Sequence, residues 1–130
     1  MGLDNGICIR RDSAPECASK IFHEEEWEKK YGAIDAAYWN KCRNVRNIIF
    51  DLFYIPFDDY FEANMTADDV KQVIAELKKL NKVNYQNKGD CNWDWKTFKR
   101  LNRRNIKRMK RLVRLMKKYP KMEVYFYDSW

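Results

Sequence analysis

Between Lys96 and Lys118 the chain carries twelve lysines and arginines and no Asp or Glu, and its apolar residues recur at a spacing that only a helix can use. At 100° per residue, Lys96, Arg100, Arg103, Lys107, Lys110 and Arg114 line up along one face. Phe98, Leu101, Met109, Leu112 and Met116 fall on the opposite side, flanked by Trp95, Ile106 and Val113. The pattern predicts an amphipathic helix from about Asp94 to Lys118, lying on an apolar core and turning a cationic ridge about 30 Å long to solvent. Pro120 breaks it. Without these twelve residues, 14 Lys and Arg face 19 Asp and Glu, so the rest of the chain is at −5 and the net +7 comes from this one helix.

Like charges one turn apart repel by ~0.2–0.5 kcal/mol per pair, and no acid on the helix relieves that repulsion. An anionic partner is therefore expected. Nucleic acid, a phosphorylated small molecule and an acidic protein all supply the chemistry; no membrane association is expected. Trp93 and Trp95, at the start of the helix, are placed either to anchor it in the core or to stack on bases.

Elsewhere the periodicities alternate between helix and strand. Gly6 to Arg10, Ile34 to Trp39, Tyr60 to Met65 and Met122 to Tyr127 read as strands. Ser13-Ala14-Pro15-Glu16 resembles a capping box opening a short helix, and a polar helix near Glu24 to Tyr31 is expected to stop at a left-handed Gly32. Val45, Ile48, Ile49, Leu52 and Phe53 mark a helix within Lys41–Phe53, ended by Pro56. Thr66, followed by Asp68 and Asp69, opens another helix, whose buried stripe is Val70, Val73, Ile74, Leu77 and Leu80. Asn81 to Asp90 reads as a loop. With 130 residues, 45% of them apolar, and no linker-like stretch, the expectation is a single α+β domain over 1–130. It should hold an about four-stranded, mainly antiparallel sheet with packed helices, the long basic helix preceding the final strand.

Several function classes drop out. No apolar run approaches the ~20 residues of a membrane-spanning helix. Asp4, Arg10, Arg11 and Asp12 occupy the stretch where a secretory signal would be apolar, so a cytoplasmic protein is expected. Cys8, Cys17, Cys42 and Cys91 form no C-x-x-C pair and His23 is the only histidine, so we expect free thiols, no disulfide and no metal site. There is no phosphate-binding glycine loop. Asp4, Asp35, Asp58, Asp59 and Glu62 have no spacing that specifies a Mg²⁺ site. No catalytic residue and no cofactor is assigned.

Three short patches carry a likeness to known sequences: Met1-Gly2-Leu3-Asp4; Tyr38-Trp39-Asn40-Lys41 running into Asn44-Val45-Arg46-Asn47; and Val124-Tyr125-Phe126-Tyr127-Asp128-Ser129-Trp130. Together they resemble an uncharacterised family of small tailed-phage and prophage proteins that begin M-G-L-D, and they cover about a fifth of the chain. Asn40 stands where that family has Arg, and Arg46 where it has His, so acid–base chemistry by that histidine is not available here. The resemblance implies a phage origin, a role towards host defence or metabolism, and a shared pocket. Its candidate residues here are Asp4, Tyr38, Trp39, Lys41 and Arg46, with Lys41 and Arg46 suited to a phosphate or carboxylate.

The sequence thus reads as a non-enzymatic, phage-type accessory protein in the cytoplasm of a bacterial host. Its expected partner is nucleic acid or a nucleotide-like ligand held by the ridge Lys96, Arg100, Arg103, Lys107, Lys110 and Arg114. A metal-dependent enzyme acting on nucleotides or nucleic acid is one alternative, and a module docking an acidic host protein another.

Overall fold

The two ends of the chain lie side by side at the centre of the sheet. Strands β1 (Asp4–Arg10), β2 (Ala33–Asn40), β3 (Tyr60–Asn64) and β4 (Val124–Ser129) are arranged in the order β2-β1-β4-β3, with every neighbouring pair antiparallel. Five helices accompany them: α1 (Ala18–Ile21), α2 (Arg43–Phe53), α3 (Ala67–Lys78), α4 (Lys82–Asn87) and α5 (Trp95–Lys118). The fold is α+β, with the long α5 leading into the last strand. This computed structural model describes residues 4–30, 32–53, 60–87, 89 and 91–129. Met1, Gly2, Leu3, Tyr31, Pro56, Asp58, Asp59, Asp90 and Trp130, which figure in the reading above, lie outside them.

Strand alternation sorts the sheet into two chemically distinct faces. On the inner face the cross-strand rows are Trp39–Asn5–Asp128, Ala37–Ile7–Phe126 and Ile34–Ile9–Val124, all buried. They share one core with Val45 and Ile49 of α2, Val70, Val73 and Leu77 of α3, and Phe98, Met109 and Leu112 of α5. On the outer face the rows are Tyr38–Gly6–Tyr127 and Asp35–Cys8–Tyr125. A Cβ at Gly6 would come within 2.8 Å of both the Ala37 carbonyl oxygen and the Tyr127 ring, so glycine is what lets that ring lie against the strand.

Local signals set the helix starts. Thr66 and Asp69 form a reciprocal capping box at α3, with Asp69 N to Thr66 Oγ1 at 3.1 Å and Thr66 N to Asp69 Oδ2 at 2.8 Å. Asp94 caps α5 by accepting from the Thr97 amide at 2.8 Å, which holds the Asp94 carboxyl below its usual range.

The structure departs from expectation in five places. Ser13 opens no helix: its Oγ donates to the Arg10 carbonyl at 2.7 Å and accepts from the Glu123 amide at 2.8 Å, and α1 begins only at Ala18, without a side-chain cap. The polar run after Glu24 forms only a short 3₁₀ turn, Glu28–Lys30, because it has no apolar stripe to pack and hold a longer helix. Gly32 is not left-handed; His23 and Lys41, at φ 51° and 52°, are. The stretch Asn81 to Asp90 contains α4, started by Asn81, whose Oδ1 accepts from the amides of Val83 and Asn84 at 3.0 Å, and anchored by the buried Tyr85 against Trp95 and Phe98. Cys42 and Cys91 are joined in a disulfide, which corrects the expectation of free thiols throughout; Cys8 and Cys17 are free. The two half-cystines are 49 residues apart and meet in an isolated antiparallel bridge. Gly89 assists there: its φ of 131° is a backbone conformation that side-chain-bearing residues rarely adopt, and a Cβ would come within 3.0 Å of Asn47 Nδ2.

Candidate functional site

α5 is held by polar groups as well as by its apolar stripe. Asn102 Nδ2 donates to the Leu77 carbonyl at 3.2 Å, satisfying the end of α3, and Asn105 Nδ2 donates to the Tyr38 carbonyl at 3.0 Å. Arg108 reaches further. Its Nε donates to Ala36 O at 2.8 Å, and its terminal nitrogen to Asp35 O at 2.7 Å and Phe22 O at 3.0 Å. The reason lies in β2, where Ile7 pairs with Ala37 but Cys8 pairs with Asp35, leaving Ala36 as a bulge on an edge strand. The unpaired carbonyls of that edge need donors, and α5 brings them.

Arg108 is therefore a structural cation, and burial pushes its guanidinium below the usual value. The other eleven Lys and Arg residues of α5 are exposed, including all six of the ridge, Lys96, Arg100, Arg103, Lys107, Lys110 and Arg114. The ion pairs seen among the described residues involve Arg10, Arg11, Lys29, Arg46, Lys71 and Lys79, and none involves an α5 cation. Asp68, which might have neutralised the surface, lies 3.8 Å from Lys71, and Asp69 is occupied in its capping box. α3 instead adds positive charge: Lys78 beside Lys110, and Lys71 beside Lys117, push both α5 amines below their usual values.

On the flank facing residues 17–23 the cations form the wall of an open groove. A hollow of about 330 Å³ is lined by His23, Arg100, Arg103, Arg104, Lys107, Arg108 and Arg111. It shares His23 and Arg111 with a second hollow of about 380 Å³ that includes Cys17, Lys20, Arg114, Lys118 and Tyr119. At the other end it shares Arg104 and Arg108 with a smaller one, about 200 Å³, bordered by Tyr38 and Trp93 and by one acid, Asp35. The result is a continuous electropositive track with an aromatic end.

The pocket residues suggested by resemblance are placed apart. Asp4 and Tyr38 meet on the outer face, the Tyr38 hydroxyl donating to Asp4 Oδ1 at 2.7 Å; burial and then Asp4 push the phenol up to about 12. Trp39, the next residue along the strand, points the opposite way and is fully buried. Lys41 is exposed at the β2–α2 junction. Arg46 is inside the protein, where it meets the carboxylate of Asp128. The likeness of Arg46 to an anion-binding residue is thus met from within the chain.

Sequence reading missed Asn102, Asn105 and Arg108, although the two asparagines fall towards the apolar side of the helix and so carried a signal. Among the described residues no three of His, Cys, Asp and Glu come together as a metal site, and no helix is long and apolar enough to cross a membrane. Compared with known proteins, the chain matches no family model, no curated protein and no solved structure.

Proposed function

We propose that this chain is a non-enzymatic binding protein whose partner is nucleic acid, engaged through α5. One observation carries the reading: the exposed cations of α5 have no ion pair among the described residues, and α3 crowds further lysines against them. Exposed, mutually repelling cations favour a ligand with closely spaced negative charges. The six ridge residues recur once per turn, about 5.4 Å apart, so an extended phosphate backbone can engage several of them at once. The groove beside the ridge, with Tyr38 and Trp93 at one end, adds aromatic surface that suits an unpaired base.

The likeness to tailed-phage proteins supplies a setting for this reading: an accessory protein made in an infected bacterium, meeting host or phage nucleic acid. Fluorescence anisotropy with labelled duplex and single-stranded DNA and RNA over a salt series tests it. Binding should weaken with a log–log slope of roughly −4 to −6. Absence of binding at about 50 mM salt, where phosphate contacts are strongest, would overturn it.

A further inference from the structure

The outer face of the sheet has chemistry opposite to that of α5. There Tyr127, lying over Gly6, and Tyr125 border a hollow of about 420 Å³, with Trp27, 62% exposed, at its rim. Three carboxylates, Asp4, Glu28 and Asp35, line the same hollow, and no Lys or Arg does. In a chain with 26 Lys and Arg residues, these three acids make no ion pair among the described residues. Just beyond its edge the Arg10 guanidinium already sits 4.3 Å from the centre of the Tyr125 ring, which leaves Tyr127 and Trp27 as the rings open to a ligand cation.

We propose that this hollow binds a small organic ammonium ion. Aromatic faces attract a large, weakly hydrated cation through their quadrupoles, and the surrounding carboxylates add Coulomb attraction without having to converge on a point. A small hard metal ion needs that convergence, and the acids here do not provide it. Burial is the main cause that pushes the Cys8 thiol and the Tyr127 hydroxyl up, and the Asp35 carboxylate adds to both, so both stay neutral beside the hollow. The hollow shares only Asp35 with the Tyr38–Trp93 end of the α5 groove, and the proposal stands whether or not nucleic acid binds α5.

Choline and 3,3-dimethylbutan-1-ol share a shape and differ in charge, which makes them the discriminating probes. Titrations followed by NMR of the Trp and Tyr ring signals should show choline saturating at about 1–10 mM and moving Trp27 and Tyr127, with the alcohol at least about tenfold weaker. Trp27→Ala and Glu28→Gln, both at the solvent rim where the fold is not at stake, should each weaken choline severalfold. Choline and the alcohol binding equally, choline moving only signals elsewhere, no saturation by choline, or wild-type affinity in both variants would each overturn the proposal.

Discussion

Arg46 of α2 and Asp128 of β4 meet inside the protein, Nε to Oδ2 at 2.6 Å, with side-chain exposures of 2% and 0%. The guanidinium also lies over the Phe50 ring, 4.4 Å from its centre. Burial pushes the Asp128 carboxyl up and the Arg46 guanidinium opposes it, so the pair offsets a desolvation cost more than it adds net stability. Removing one partner leaves the other charge buried alone. Arg46→Met should therefore cost about 3–5 kcal/mol in urea unfolding, and adding Asp128→Leu should recover most of that loss. A double variant as unstable as the single one would show that the hydrogen bonds of the pair, not its charge balance, hold α2 to the last strand.

Arg104 and Arg108 are one turn apart, of the same type, and play different parts. Arg108→Gln removes the donors that serve two backbone carbonyls at the β2 bulge and that of Phe22 after α1, and should lower stability by about 2–4 kcal/mol. Arg104→Gln, at an exposed position, should stay within about 0.5 kcal/mol of the parent. Equal effects of the two changes would remove the structural role assigned to Arg108.

For the ridge, Arg103, Lys107 and Lys110 changed together to Gln should flatten the salt dependence of nucleic-acid binding by about 3 in log–log slope. Gln is nearly as good a helix former as Lys or Arg, so circular dichroism should be unaltered. Thermal stability should hold or rise slightly as the repulsion along α5 and towards Lys78 is relieved. An unchanged slope would place the binding surface away from these residues.

The cysteines give a count. Unfolded without reductant, the protein should show two titratable thiols, Cys8 and Cys17, and four after reduction. Closing a loop of 49 residues, the disulfide should contribute about 2–4 kcal/mol, lost on reduction in equilibrium unfolding. Such bonds persist in oxidising surroundings, so four thiols before reduction would identify the pair as a dithiol in the cell that made the protein.

By itself the sequence determined the elements whose local periodicity and charge are strong; the weakly patterned α4 and the polar run after Glu24 it did not. The 3.6-residue stripes of α2, α3 and α5, the Thr66 cap, the alternation of β4 and the cationic face of α5 all follow from residues within one or two turns of each other. What only the tertiary structure decided involves partners far apart in the chain. The Arg46–Asp128 pair spans 82 residues, the Arg108 contacts with Phe22 and Asp35 span 86 and 73, and the Cys42–Cys91 disulfide spans 49. Each needs β1 and β4 to lie together, or α5 to cover the bulged edge of β2, before the groups can meet. Arg46 and Arg108 looked like free cations because a charge on its own segment carries no mark of the buried acceptor that another segment will bring to it. The acid and aromatic hollow of the outer face was hidden for the same reason: its carboxylates and rings come from three strands and a turn, and only the antiparallel register of β1, β2 and β4 puts them side by side.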